Sequence, residues 1–310
     1  IVWGGLVLLT LIIPSYNEED VIEPFYHKMA AVLDTLLIDT EIVFINDGST
    51  DSTLDKLRHL KESDPRIIIV DLSRNFGKEI AMTAGLDYSK GDAVVIIDAD
   101  LQDPPELIPQ LIEKWQAGYD VVYAKRISRE GESTLKKLTS KAFYRILNRL
   151  SRIPIPEDTG DFRLMSRRAV NALNSLRERN RYMKGLFAWI GYPQTAVLYH
   201  RDTRYAGNSK WNYFALWDLA LEGITSFTAV PLKLSTYMGL LTATGAFLYG
   251  VWIIIKTLTF GDPVAGFPTI MVIVLFLGGI QLLALGIIGE YLGRIFSESK
   301  QRPLYLLNHL

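Results

Sequence analysis

At 310 residues, the chain is long enough for two compact domains, or for one domain with membrane segments. Its formal net charge of -1 gives no global basic signature for nucleic acid. It has no cysteine, which excludes disulfides, thiolate catalysis and Cys-ligated zinc or iron–sulfur centres, and its four histidines (His27, His59, His200, His309) show no metal-ligand spacing.

The first apolar run, Leu6–Ile13, lacks a basic lead and passes straight into Pro14-Ser15-Tyr16-Asn17-Glu18-Glu19. It reads as a first strand and not as a signal peptide. Further strand-like runs follow at Glu41–Ile45, Ile67–Leu72, Ala93–Ile97 and Asp120–Ala124. Helical-period segments separate them, over Glu19–Leu37, Ser52–Lys61, Gly77–Ser89 and Pro105–Ala117. This alternation predicts an α/β domain, a mostly parallel sheet with helices on both faces. No Gly-x-Gly-x-x-Gly follows the first strand, so the dinucleotide-binding version of that architecture is set aside.

Polar clusters stand where three of the strands end: Pro14–Glu19 after the first, Asn46-Asp47-Gly48-Ser49-Thr50 after the second, and Asp98-Ala99-Asp100-Leu101-Gln102-Asp103 after the fourth. In an open α/β sheet the carboxyl ends of parallel strands share one rim, and ligands bind there. Asp47-Gly48-Ser49 taken alone is most simply a turn, while for the fourth-strand cluster an acidic turn with Asp103 as a helix cap before Pro104-Pro105 is the lesser alternative. Together the clusters say more. Asp98 and Asp100 can turn their oxygens toward one hard cation, Mg²⁺ or Mn²⁺, which is usually held by one or two carboxylates plus substrate phosphate. Tyr16 offers a flat face for a base, and Asp47 an acceptor for a base NH or a ribose hydroxyl. The set fits a nucleotide diphosphate.

Farther along, Ser133–Arg152 carries Lys136, Lys137, Lys141, Arg145, Arg149 and Arg152 and no acid, with apolar residues at mostly helical spacing. A basic amphipathic helix of this kind suits a membrane surface. Trp211, Tyr213, Phe214 and Trp217 suit the interface belt just before the apolar region. Residues 234–255 and 263–289 are two charge-free stretches of 22 and 27 residues, each long enough to cross the roughly 30 Å hydrocarbon core. They predict a membrane hairpin. Lys210, Lys233, Arg294, Lys300 and Arg302 lie on one side of it against Lys256 in the connection, which places the N-terminal part and the tail in the cytoplasm.

The motifs PSYNEE, NDGS, DADLQD, TGDFRL and RYAGNSKW, in this order and with the hairpin behind them, resemble the family 2 glycosyltransferases with a GT-A fold over about residues 7–296. Within that group the chain is similar to the polyprenyl-phosphate glycosyltransferases. The hairpin is most similar to that of the bacterial undecaprenyl-phosphate (bactoprenol) glucosyltransferases, which are related to the dolichol-phosphate mannosyltransferases. The resemblance implies a GT-A catalytic domain over residues 1–210 with the basic amphipathic helix near 133–152. It implies an interfacial helix over 211–231, a transmembrane hairpin over 232–296 (spans about 234–256 and 264–290) and a cytoplasmic tail over 297–310.

It also implies roles. Pro14, Tyr16, Glu18, Asp47 and Asp98 line the nucleotide pocket, and Asp98, Asp100 and Gln102 hold Mg²⁺ or Mn²⁺ with the diphosphate. Arg126 approaches the phosphates. Lys136, Ser140 and Arg204 meet the acceptor phosphate, and Arg204 and Lys210 belong to a loop that closes over the site. Asp161 matches a position often assigned as catalytic base. A phosphomonoester has its second pKa near 6 and is already mostly a competent nucleophile, so an orienting role is the alternative. The expected reaction is inverting transfer of a sugar, glucose from UDP-glucose, to undecaprenyl phosphate in the cell inner membrane. GDP-mannose as donor and a non-enzymatic membrane-anchored nucleotide-sugar sensor are the rivals. A processive synthase is disfavoured because the chain has no Gln-x-x-Arg-Trp. Small hairpins often pack together in the bilayer, which is compatible with a homo-oligomer, but the sequence leaves the oligomeric state open.

Overall fold

A computed structural model describes residues 7–127, 159–199, 230–260 and 266–308. The expected basic helix near 133–152, the loop carrying Arg204 and Lys210, and the stretch 211–229 lie outside the described residues. The chain divides into two compact units, Ile1–Gly223 with Arg302–Leu310, and Ile224–Gln301.

Among the described residues, the first unit is built on one seven-stranded sheet in the order β3-β2-β1-β4-β6-β5-β7. Five strands fall where the apolar runs predict them: β1 (Leu8–Ser15), β2 (Asp39–Asn46), β3 (Ile67–Asp71), β4 (Ala93–Ile96) and β5 (Val121–Arg126). β1 pairs in parallel with β2 and β4, and β2 with β3. Helices α1 (Ile22–Leu33), α2 (Thr53–Ser63), α3 (Lys78–Tyr88) and α4 (Ile108–Gln116) connect them, α4 after a short 3-10 turn at Pro105–Leu107.

Strand alternation divides the core. Leu9, Leu11 and Ile13 of β1 point to one face, where Ile22, Phe25, Met29 and Leu33 of α1 and Ile108, Leu111 and Ile112 of α4 bury their apolar stripes. Ile12 points to the other face, against α3. Contact there is so close that a Cβ added at Gly85 would lie 2.3 Å from Ile12 Cγ2 and 2.9 Å from Ile45 Cδ1.

Two strands are additional to the sequence reading. β6 (Thr159–Ser166) runs antiparallel between β4 and β5, and β7 (Gln194–Tyr199) pairs in parallel with β5 at the sheet edge. Helix α5 (Arg167–Ser175) follows β6 directly, with Ser166 as its N-cap accepting from Ala169 N–H, and α6 (Met183–Trp189) precedes β7.

The second unit is described through α7 (Val230–Phe260) and α8 (Phe267–Ser299), which pack against each other. Among the described residues, the segment Phe276–Ser299 is long and apolar enough to cross a membrane by length and composition. Large side chains such as Leu240, Leu241 and Phe247 on α7 and Phe276, Leu282 and Leu285 on α8 stand exposed.

Candidate active site

Register alone brings the site together. β1, β2, β3 and β4 all end at the same rim, while β6, running the other way, begins there. Arg163 of β6 lies opposite Ile96 of β4. Asp98 is two residues past Ile96 and Asp161 two residues before Arg163, so the antiparallel pairing carries the two carboxylates to the same level. Lys125 of β5 lies opposite Thr159 of β6, and the long side chain of the next residue, Arg126, reaches Gly160. A Cβ on Gly160 would stand 3.5 Å from Arg126 Nη2 and 3.9 Å from Asp103 Oδ2.

Lys78, the first residue of α3, closes the gap between the carboxylates. Its Nζ lies 2.7 Å from Asp98 and 2.6 Å from Asp161 Oδ2. Lost hydration lowers the proton affinity of Lys78, but Asp161 and Asp98 outweigh it and hold the ammonium above its ordinary range. Burial pushes the Asp161 carboxyl up, yet Lys78, Lys184 and Arg163 overcome it and hold the group ionised, well below the usual carboxylate range. Burial also raises Asp98, with Asp161 and Asp100 adding to the effect against Lys78. Asp161 Oδ1 is buried and, among the described residues, makes no hydrogen bond. A native buried oxygen in that condition is a place for an absent donor.

Arg163 lies behind this pair and supports it. It is 4 % exposed, donates from Nη2 to Gly160 O (2.8 Å) and from Nε to Asp161 O (3.3 Å), and stacks over the Phe187 ring at 3.6 Å. Burial lowers its guanidinium to about 10. Glu79, next to Lys78, accepts from Met183 N–H at the start of α6 (3.0 Å). Burial raises its carboxyl to about 7, Asp161 adding to the rise.

The turn after β4 is tightly wound. Leu101 has a φ of +58°, a left-handed conformation that a branched apolar side chain seldom adopts. Asp100 Oδ1 accepts from Gln102 N–H (3.1 Å) and closes the turn locally. Such strained non-glycine positions gather at functional sites. Asp103 is buried and accepts from the Tyr199 hydroxyl on β7, to which Arg126 Nε also donates (3.4 Å).

The loops after β1 and β2 are knitted together. Asn17 N–H donates to Ser49 Oγ (3.0 Å), Thr50 N–H to Asn17 Oδ1 (2.9 Å), Glu18 N–H to Thr53 Oγ1 (2.9 Å) and Ser52 N–H to Glu19 (3.0 Å). Tyr16 stands 37 % exposed at this rim, and Pro14 is the penultimate residue of β1. Asp47 is buried, and its two oxygens accept from Phe76 N–H (2.7 Å) and Gly77 N–H (3.0 Å). Its first task is thus to hold the loop that leads into Lys78.

The structure brings together Asp98, Asp100, Asp161 and Arg126, with Pro14, Tyr16, Glu18 and Asp47 along the same rim. Lys136, Ser140, Arg204 and Lys210 lie outside the described residues. Lys78, Glu79 and Arg163 are additions to the sequence reading. For a divalent cation the donor set is sparse: among the described residues no three histidine or acidic side chains converge. Asp98 and Asp100 nevertheless supply the one or two carboxylates that a Mg²⁺-type ion takes when phosphate completes its shell. The Lys78 ammonium at Asp98 shows that the place suits positive charge.

Comparison with known proteins follows the same division of the chain. Residues 10–173 match the family described as Glycosyl transferase family 2, and residues 230–295 match the GtrB C-terminal hairpin. A bactoprenol glucosyl transferase of Shigella phage SfV is 50 % identical over 97 % of this chain and 98 % of its own. A prophage bactoprenol glucosyl transferase homolog of Escherichia coli (strain K12) is 48 % identical over 97 % and 99 %. An uncharacterized glycosyltransferase of Synechocystis is 54 % identical over 97 % and 95 %. Among solved structures, glucosyl-3-phosphoglycerate synthase from Mycobacterium tuberculosis, in complex with Mn²⁺, UDP-glucose and phosphoglyceric acid, gives a TM-score of 0.49 at 22 % identity, covering 70 % of this chain and 77 % of that one.

Proposed function

Because the chain belongs to glycosyl transferase family 2, we propose that it is a membrane-bound inverting enzyme moving glucose from UDP-glucose to undecaprenyl phosphate. The observation that carries this reading is the Lys78 bridge between Asp98 and Asp161, set in a chain half identical to bactoprenol glucosyl transferases from end to end.

The donor lies along the rim, its uridine over the β1 and β2 loops near Tyr16 and Asp47 and its diphosphate toward Asp98, Lys78 and Arg126. An acceptor phosphate oxygen attacks the anomeric carbon, a C–O bond forms, and the bond to the β-phosphate breaks on the opposite face. UDP leaves with the electron pair, and the anomeric centre inverts. Lys78 and Arg126 face the charge that develops on the departing diphosphate, where preorganised cations act most strongly. Mg²⁺ or Mn²⁺, held by Asp98 and Asp100 with Gln102, supplies Lewis-acid neutralisation of that diphosphate when bound. Asp161 accepts a sugar hydroxyl through its unpartnered Oδ1 and orients the ring. The acceptor needs no base, since a phosphomonoester has lost most of its second proton at neutral pH. Lys136, Ser140, Arg204 and Lys210 serve the acceptor side and closure. Helices α7 and α8 cross the inner membrane as a two-span hairpin, with the cation-rich base of the hairpin on the cytoplasmic side.

The test is transfer of radiolabelled sugar to undecaprenyl phosphate by purified protein across a panel of nucleotide sugars. Lipid label from UDP-glucose, abolished by EDTA, is expected. Label from GDP-mannose alone would overturn the donor. Nucleotide binding without any lipid label would replace the enzyme with a sensor.

A further inference from the structure

The first unit does not end with the sheet: the chain returns to it after α8. Residues 302–308 lie along the end of β3, where Leu72 and Leu307 form an antiparallel bridge. Ser73 N–H donates to Leu306 O (2.8 Å), and Asn308 N–H donates to Asp71 O (2.9 Å). The Asn308 side-chain amide donates to Asp71 Oδ2 (3.0 Å), while Asp71 Oδ1 accepts from Asn46 Nδ2 (2.6 Å) and Asn46 Oδ1 from Ser49 N–H (3.2 Å). One hydrogen-bonded series therefore runs from the tail to the loop beneath the expected uridine.

The same tail frames α3. Just beyond Ser73, the loop 74–77 lies so close on Gly48 that a Cβ there would sit 2.3 Å from the Arg74 carbonyl carbon, and its Phe76 and Gly77 amides hold Asp47. Lys78 comes next. At the far end of α3, Asp87 accepts from the Tyr305 hydroxyl (3.0 Å) and takes a two-pronged ion pair from Arg177 (2.9 and 2.8 Å). Both ends of the helix that delivers Lys78 are thus tied to a segment more than 200 residues later.

We propose that the tail Arg302–Asn308 is a positioning element of the donor site, with Tyr305 and Asn308 as its anchors. By bracing the 72–77 loop and α3, it sets Asp47 and Lys78 for the nucleotide diphosphate. The proposal rests on the nucleotide-sugar reading of the rim, and the experiment separates the two.

Full-length protein, the Tyr305→Phe/Asn308→Ala double variant and a chain ending at Pro303 are compared in detergent. Hydrogen exchange of residues 73–80 is read first. UDP affinity and the KM values for UDP-glucose and undecaprenyl phosphate are read next. Faster exchange at 73–80 is expected in both variants, with UDP affinity and donor KM weakened by about tenfold in the shortened chain, the scale of one or two lost hydrogen bonds. Acceptor KM moves less than about twofold on the same scale. A synthetic peptide of residues 302–308 restores donor KM. Unchanged exchange at 73–80 overturns the bracing, and so does an equal loss on donor and acceptor sides. Failure of the full-length protein to bind UDP overturns the donor reading instead, and the exchange result still decides the brace.

Discussion

Removing the Lys78 ammonium leaves Asp98 and Asp161 close together at the rim without the cation that joins them, and deprives the departing diphosphate of a preorganised charge. Lys78→Met is expected to lower kcat/KM for UDP-glucose by about 10²–10³-fold, the usual scale for one lost electrostatic contact in a site. Lys78→Arg retains part of the activity. Asp161→Asn lowers kcat without adding a pH limb that tracks acceptor deprotonation; a new limb of that kind would restore the base assignment. Glu79 gives a second pH prediction. Its folded carboxyl is raised to about 7 from an ordinary value of 4.5, so the folded state binds the extra proton. Stability from this group is present below pH 4.5 and declines as pH rises through 7. Glu79→Gln should flatten that part of the Tm-against-pH curve. Asp98 and Asp100 could be read as rim residues because acidic residues where an apolar strand runs out have few other uses, whereas Asp161 came only through the family resemblance, since it lies inside β6. Lys78 and Glu79 could not be read, since two charges opening a helix look like a solvated first turn until the register of β6 shows what faces them.

At the scale of elements, β1 to β5 announce themselves as apolar runs, and α1 and α4 as stripes. β6 does not, because Asp161 and Arg163 interrupt it; the strand is hidden by the same residues that make it functional. β7 is a short edge strand that alternates toward solvent, with Leu198 exposed, so no long apolar run marks it. The packing of α3 on β1 and β2 carries its own test. Gly85→Ala gains roughly 1 kcal/mol of helix propensity and loses about 1–3 kcal/mol to overpacking against Ile12 and Ile45. Gly85→Val adds a branched side chain and loses the propensity gain. Valine should lower Tm by about 4–8 °C, at roughly 2–4 °C per kcal/mol for a unit of this size, and alanine by less.

For the whole molecule, the boundary between a mixed charged-apolar segment and a charge-free one was plain in the sequence, whereas the return of the tail to β3 was not. Pairing between residues more than 200 apart leaves no periodicity to read. That return fixes a parity. A segment hydrogen-bonded to the catalytic unit shares its aqueous compartment, so whatever crosses a bilayer between residues 223 and 302 crosses it an even number of times. The proposed two-span hairpin, with one crossing by α7 and one by α8, meets this parity, and the Leu72–Leu307 bridge is what sets it. Because the chain contains no cysteine, each introduced thiol is the sole label. An impermeant maleimide applied to intact cells is expected to reach Asp262→Cys and to miss Ser299→Cys until the membrane is opened. Labelling of both from outside would break the parity and detach the tail from β3.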